Sequence, residues 1–197
     1  MGQRLNLEIW NNGKVLANAY YHWSAYTDSS AAIVNTAINY IKNNPLQNDN
    51  DLLYAIRILE ATGAGLTTEE IEHAKLRPSL EGATFAECNG RNTGLIGISN
   101  EAIRSTRDWQ EYSVFVFLDE KRISFRVIFT QRAWQWEREQ RVDYGNAKAD
   151  ARELEIADFN FDDIKFDAWD ELNEFLQSRE ECFVCSIDRF NVITPIR

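Results

Sequence analysis

The sequence predicts an α+β fold: an antiparallel or mixed sheet built from hairpins, with helices packed on it, as one domain over residues 1–197. Three observations predict it. Residues 3–10 alternate, with Leu5, Leu7 and Ile9 against Arg4, Asn6 and Glu8, and run into Asn11-Asn12-Gly13-Lys14. Other segments carry apolar residues at helical spacing. The composition is ordinarily globular, with 44% hydrophobic and 26% charged residues, so the chain can bury a core.

The elements follow in order. Residues 3–10 read as a half-buried strand. Asn12-Gly13 supplies the positive φ of a tight hairpin turn, and residues 15–23 return. Asp28 or Ser29 caps a helix starting near Ala31, with Ala37, Ile38 and Ile41 on one face, and Asn44-Pro45 ends it. A second helix runs from about Asp51 to Gly63. Thr67 with Glu70 is the pattern of a capping box opening a short third helix. Residues 83–88 and 93–99 read as strands around the turn Asn89-Gly90-Arg91-Asn92, and Asn100 caps a helix to about Arg107. A second hairpin covers residues 113–130 around Asp119-Glu120-Lys121. Residues 142–159 show no clear period. Residues 162–177 carry Ile164, Ala168, Leu172 and Leu176 at every fourth position, an amphipathic helix. Residues 182–187 and 191–196 read as terminal strands.

Charge is unevenly placed. Between residues 150 and 181 twelve acids face three bases, so this segment, expected to be an acidic C-terminal helical stretch, carries −9 of the chain's net −10. Between residues 121 and 141 six bases face two acids. On the predicted helix Asp163, Asp167, Asp170, Glu171 and Glu174 fall at i, i+4, i+7, i+8 and i+11, one stripe opposite the apolar face, with Asp158 and Asp162 flanking. Like charges at i, i+4 cost about 0.2–0.5 kcal/mol per pair, so such a stripe gains from a basic partner. It covers about 16 Å of helix, with carboxylates about 5–6 Å apart, near the phosphate spacing of a nucleic-acid strand. This surface can occupy a site built for nucleic acid. The alternatives are a solvated face, and a pairing of the basic strand with the acidic helix within one chain or between two copies. Exposed pairs of that kind contribute about 0–1 kcal/mol each.

The pI near 4.8 argues against direct nucleic-acid or anionic-membrane binding. No run approaches a membrane span. The opening residues lack the apolar stretch of a signal peptide, and the cysteines Cys88, Cys182 and Cys185 make no disulfide framework, so a cytoplasmic setting is expected.

Site chemistry is sparse, and no catalytic residue, metal or cofactor is assigned. Cys182 and Cys185 form a CxxC, but on a strand residues three apart point to opposite faces. Asp158-Phe-Asn160-Phe-Asp162-Asp163 imitates a calcium loop but lacks its sixth-position Gly and its twelfth-position Glu. Trp134 and Trp136 share a face beside Arg132 and Arg138, a set suited to stacking the bases of a single strand or, equally, to a secondary protein interface. His22, Cys88 and Asn92 are the candidates for a hydrolase or small-ligand site. Asn89-Gly90-Arg91-Asn92-Thr93-Gly94-Leu95 is similar to the turn of N-terminal-nucleophile amidases, but the chain opens Met1-Gly2, without their nucleophile.

The stretches Gly2-Gln-Arg-Leu-Asn-Leu-Glu-Ile-Trp10, Asn12-Gly13-Lys14-Val15-Leu16-Ala17-Asn18-Ala19 and Tyr20-Tyr-His-Trp-Ser-Ala-Tyr-Thr27 resemble small proteins encoded by phages and prophages of low-GC Gram-positive bacteria. The resemblance covers about the first 30 residues and carries no functional residue over. It implies a phage product in the bacterial cytoplasm. Acidic proteins of that setting, anti-CRISPR and anti-restriction proteins among them, often block host enzymes that handle nucleic acid. The leading expectation is therefore a non-catalytic inhibitor whose partner is a bacterial nucleic-acid-handling or defence protein. A hydrolase or ligand-binding protein, and a self-assembling phage accessory protein, are the alternatives.

Overall fold

Seven strands form one mixed sheet in the computed structural model, which describes residues 4–22, 24, 27–46, 50–88, 94–107, 112–127, 154–161 and 169–178. The chain order is β1 (Leu5–Asn11), β2 (Lys14–Tyr21), α1 (Thr27–Asn43), α2 (Asp51–Ala61), β3 (Ala64–Leu66), α3 (Thr68–Lys75), β4 (Gly94–Gly97), α4 (Asn100–Arg107), β5 (Tyr112–Phe117), β6 (Arg122–Val127), β7 (Leu154–Asn160) and α5 (Trp169–Gln177). The strand order is β3-β4-β2-β1-β5-β6-β7. Pairs β1–β5 and β3–β4 are parallel, the others antiparallel, which gives the predicted α+β class.

The first hairpin forms as its residues dictate. Asn12 (φ 50) and Gly13 (φ 70) take the left-handed conformations of the tight turn. A bulge between Ile9 and Trp10 shifts the register, so Ile9 faces Ala17 while Trp10 faces Val15. One face of the sheet carries Leu5, Leu7, Ile9, Ala17, Ala19, Ile96, Val114, Val116, Ile123 and Phe125, all buried. Helices α1, α2 and α5 supply the matching layer through Val34, Ile38, Ile56, Leu59, Leu172 and Leu176. Full burial of each such aliphatic side chain contributes about 1.5–3 kcal/mol, so this face is the main source of stability.

The structure differs from the sequence reading at five places. Strand β1 is buried on both faces: Asn6 and Glu8, expected in solvent, are both fully buried. They are covered because β1 is central in the sheet and α4 lies on this second face, where a Cβ on Gly97 would stand 3.1 Å from that of Ala102. Residues 83–88 do not form a hairpin strand. The backbone there is held by α2 side chains, with Arg57 donating to the Thr84 carbonyl (2.7 Å) and Glu60 accepting from the Ala86 N–H (3.0 Å). Only Glu87 bridges to Leu66, in parallel, and the turn at residues 89–92 lies outside the described residues. Helix α1 starts at Thr27, earlier than expected, and α4 is capped by Ser99, whose hydroxyl accepts from the Ala102 N–H, rather than by Asn100. Residues 154–160 form strand β7, where the sequence showed no period and an acidic helical segment was expected. The predicted strands at residues 182–187 and 191–196 lie outside the described residues.

Candidate functional site

The acidic surface is built on α5. Leu172 and Leu176 are buried, Phe175 meets Phe159 of β7 edge to face at 5.5 Å, and the helix packs on α1. That anchorage turns the opposite face outward, and Asp170, Glu171 and Glu174 are all exposed. Asp170 and Glu171 stand in the first turn, where the helix dipole favours carboxylates, so their mutual repulsion is partly offset. The Asp170 carboxylate also accepts from the Glu171 N–H (3.2 Å). Asp162, Asp163 and Asp167, the rest of the predicted stripe, lie outside the described residues, as do Arg132, Trp134, Trp136 and Arg138.

Asp158 does not flank this surface, a correction to the sequence expectation. In β7 it is in register with Ser124, while Phe159, in register with Ile123, points to the α5 side. Asp158 therefore belongs to the opposite face of the sheet from α5. There it accepts from Arg122 (2.9 Å), which also reaches Glu120 (2.8 Å) and lies 4.2 Å over the Phe117 ring. These hydrogen bonds, that to Asp158 foremost, hold the Arg122 guanidinium above its ordinary pKa. So Arg122, one of the basic residues that the alternative pairing would bring to the acidic helix, is paired with Asp158 of β7 and Glu120 of the β5–β6 turn.

The alternative site is not gathered by the described residues. His22 bonds to the Tyr20 hydroxyl through Nδ1 (3.1 Å) at the end of β2. Cys88 packs against Gly65 of β3, where a Cβ would meet its backbone nitrogen at 2.9 Å, with β4 between β3 and β2. Asn92 lies outside the described residues. Among the described residues, neither His22 nor Cys88 lines the pocket beside α1 or the cleft between α3 and α4. Nor do three His, Cys, Asp or Glu side chains gather there as a metal site.

Sequence reasoning missed the buried polar cluster on the second face of the sheet. The Glu8 carboxylate accepts from Arg107 Nε (2.6 Å) and Nη2 (2.7 Å), from Asn6 Nδ2 (2.9 Å) and from Trp10 Nε1 (2.9 Å). Asn18 donates to Asn6 Oδ1 (2.9 Å) and to Thr106 Oγ1 (2.5 Å). Arg107 also lies 5.8 Å from the Trp10 ring centre. The cluster ties α4 to β1 and β2, and its charged pair is satisfied from within, while Asn18 Oδ1 is buried without a hydrogen-bond partner. The available signal was Arg107 closing an amphipathic helix, a cation in search of an acid.

A cleft of about 790 Å³ separates α3 from α4. Glu70 forms its floor, accepting from the N–H groups of Ile98 (2.6 Å) and Ser99 (3.0 Å) and from the Ser99 hydroxyl (2.7 Å). Only half of the predicted capping box forms: Thr67 Oγ1 accepts from the Glu70 N–H (3.2 Å), while the Glu70 carboxylate secures the start of α4.

No protein-family model, curated protein or solved structure matches this chain. Residue roles therefore rest on the chemistry above. Among the described residues no helix is long and apolar enough to cross a membrane.

Proposed function

We propose that this protein acts by binding another protein, through an acidic helical face that takes the place of a nucleic-acid strand. The single observation that carries the reading is α5: Asp170, Glu171 and Glu174 are exposed on a helix whose other face is anchored by Leu172, Leu176 and Phe175. A rigid array of carboxylates suits a basic, phosphate-binding groove, where charge complementarity speeds encounter and selects the partner. Supporting it are the net −9 of residues 150–181 and the resemblance of the first 30 residues to phage and prophage proteins. On this reading the partner is a bacterial nucleic-acid-handling or defence enzyme, such as a CRISPR nuclease, and the outcome of binding is inhibition. In sequence, Asp163 and Asp167 continue the helical spacing of these carboxylates, and Asp162 precedes them. Asp158 stands apart on the other face of the sheet.

The test is capture of partners from bacterial lysate by the tagged protein, with nuclease treatment and across a salt series. A nucleic-acid-handling protein retained after nuclease and released as salt rises supports the reading. Retention that is indifferent to salt, or recovery of nothing but the protein itself, overturns it.

A further inference from the structure

A second site lies at the carboxyl ends of the parallel pair β1 and β5. Strand β1 ends at Asn11 and β5 is followed by Leu118, and both residues line a pocket of about 490 Å³, within the range of small-molecule sites. Ile41 of α1, Leu118 of the β5–β6 turn and Phe161 after β7 give it apolar walls. Two side chains of opposite charge line it beside them: Asp119 and Lys121, both exposed in the β5–β6 turn.

Neither charge is neutralised inside the fold. Asp119 Oδ2 accepts from the Asn12 N–H (3.1 Å), and among the described residues Asp119 and Lys121 form no ion pair, with each other or with a neighbour. Glu120, between them, is turned to Arg122 (2.8 Å). Lys42 also lines the pocket but already has a partner, so the charges open to a ligand are one of each sign. The backbone of Lys121 is an independent observation. It stands in the left-handed region (φ 51), a conformation that suits Gly or Asn and carries a steric cost for a lysine. The Lys121 carbonyl accepts from the Phe161 N–H (2.7 Å), which joins the charged turn to the apolar wall. A lysine held at that cost, with its ammonium unpaired in the fold, fits a side chain kept for binding.

We propose that this pocket binds a free α-amino acid with a large apolar side chain: its carboxylate at Lys121, its ammonium at Asp119, and its side chain against Ile41, Leu118 and Phe161. A ligand with one charge would meet the like charge of the other residue, whereas a zwitterion complements both. None of the α5 carboxylates lines the pocket, so this site stands or falls apart from the protein-binding surface.

The probe is L-phenylalanine, compared with N-acetylphenylalanine, which keeps only the carboxylate, and phenylalaninamide, which keeps only the ammonium. Each is titrated calorimetrically against the full chain in mildly acidic buffer, where the free amines are protonated. Phenylalanine is expected to saturate one site, and each blocked form to bind about ten-fold more weakly, the size of a lost charge-assisted contact. Lys121→Asn, which suits the left-handed backbone, is expected to weaken phenylalanine about ten-fold, to leave phenylalaninamide unchanged and not to lower the thermal midpoint. Asp119→Asn, which keeps an acceptor for the Asn12 N–H, is expected to weaken phenylalanine and to leave N-acetylphenylalanine unchanged. Phenylalanine binding no tighter than that of its blocked forms, affinity that survives either substitution, or the absence of saturable binding would each overturn the proposal.

Discussion

Arg107→Met puts the buried polar cluster under its sharpest stress. In the native fold the Glu8 side chain is fully buried and receives four hydrogen bonds, two of them from Arg107. Removing the guanidinium leaves a carboxylate inside the protein with only Asn6 and Trp10 to hold it. Breaking a buried pair in this way costs about 3–5 kcal/mol. The Arg107 side chain is itself 39% exposed, so its loss gives water a path to Glu8 and places the expectation near the lower end, about 3 kcal/mol. Against a total stability of about 5–15 kcal/mol, that is a large fraction. The double variant Glu8→Leu with Arg107→Met removes both charges and is expected to recover most of the loss, because an apolar replacement of a buried pair is often neutral. Urea unfolding followed by tryptophan fluorescence measures both. A loss under about 1 kcal/mol for Arg107→Met, or a double variant as unstable as the sum of its parts, would refute the assignment of Glu8 and Arg107 as a coupled buried pair.

Three further outcomes follow from the geometry. Gly94→Ala places a Cβ 2.6 Å from the Tyr21 ring and 2.9 Å from the Ala64 backbone, so it is expected to cost at least about 2 kcal/mol by thermal unfolding. Glu70→Ala strips acceptors from two backbone N–H groups at once and is expected to cost about 3 kcal/mol, against about 1 kcal/mol for the simple cap loss in Thr67→Ala; equal effects would contradict the bridging role of Glu70. Tyr54 has its folded-state pKa raised from 10.0 to about 12, so the unfolded chain ionises first and its contribution, intact below pH 10.0, is lost as pH rises toward about 12. Tyr54→Phe is expected to flatten the fall of the urea midpoint across that window, and an unchanged slope would show that Tyr54 is not the group responsible.

Much of the fold was legible because local chemistry and tertiary demand agree. Asn12-Gly13 can form the tight turn, and the turn forms. The apolar periods of α1, α2 and α5 match the face they bury. What could not be read was set by partners distant in sequence. Glu8 looks solvent-facing by alternation, and only Arg107, on a helix ninety-nine residues later, makes its burial tolerable. Three-residue β3 is too short to show a period, and it exists because β4 offers it a parallel partner. Strand β7 is polar on the face that carries Asp158 and Asn160, so its alternation was hidden among acids; pairing with β6 defines it. Of the proposed binding surface, the outward direction of Asp170, Glu171 and Glu174 follows from the helical period. The separation of Asp158 does not, because sequence distance gives no sheet face.

The central claim is that the α5 carboxylates make the contact with the partner. The most direct test replaces Asp170, Glu171 and Glu174 together with Lys and compares capture of the salt-sensitive bacterial partner by the native and reversed proteins at matched concentration. The substituted side chains are exposed, so the circular dichroism spectrum is expected to be unchanged while capture is lost. Capture undiminished by the reversal would contradict the account.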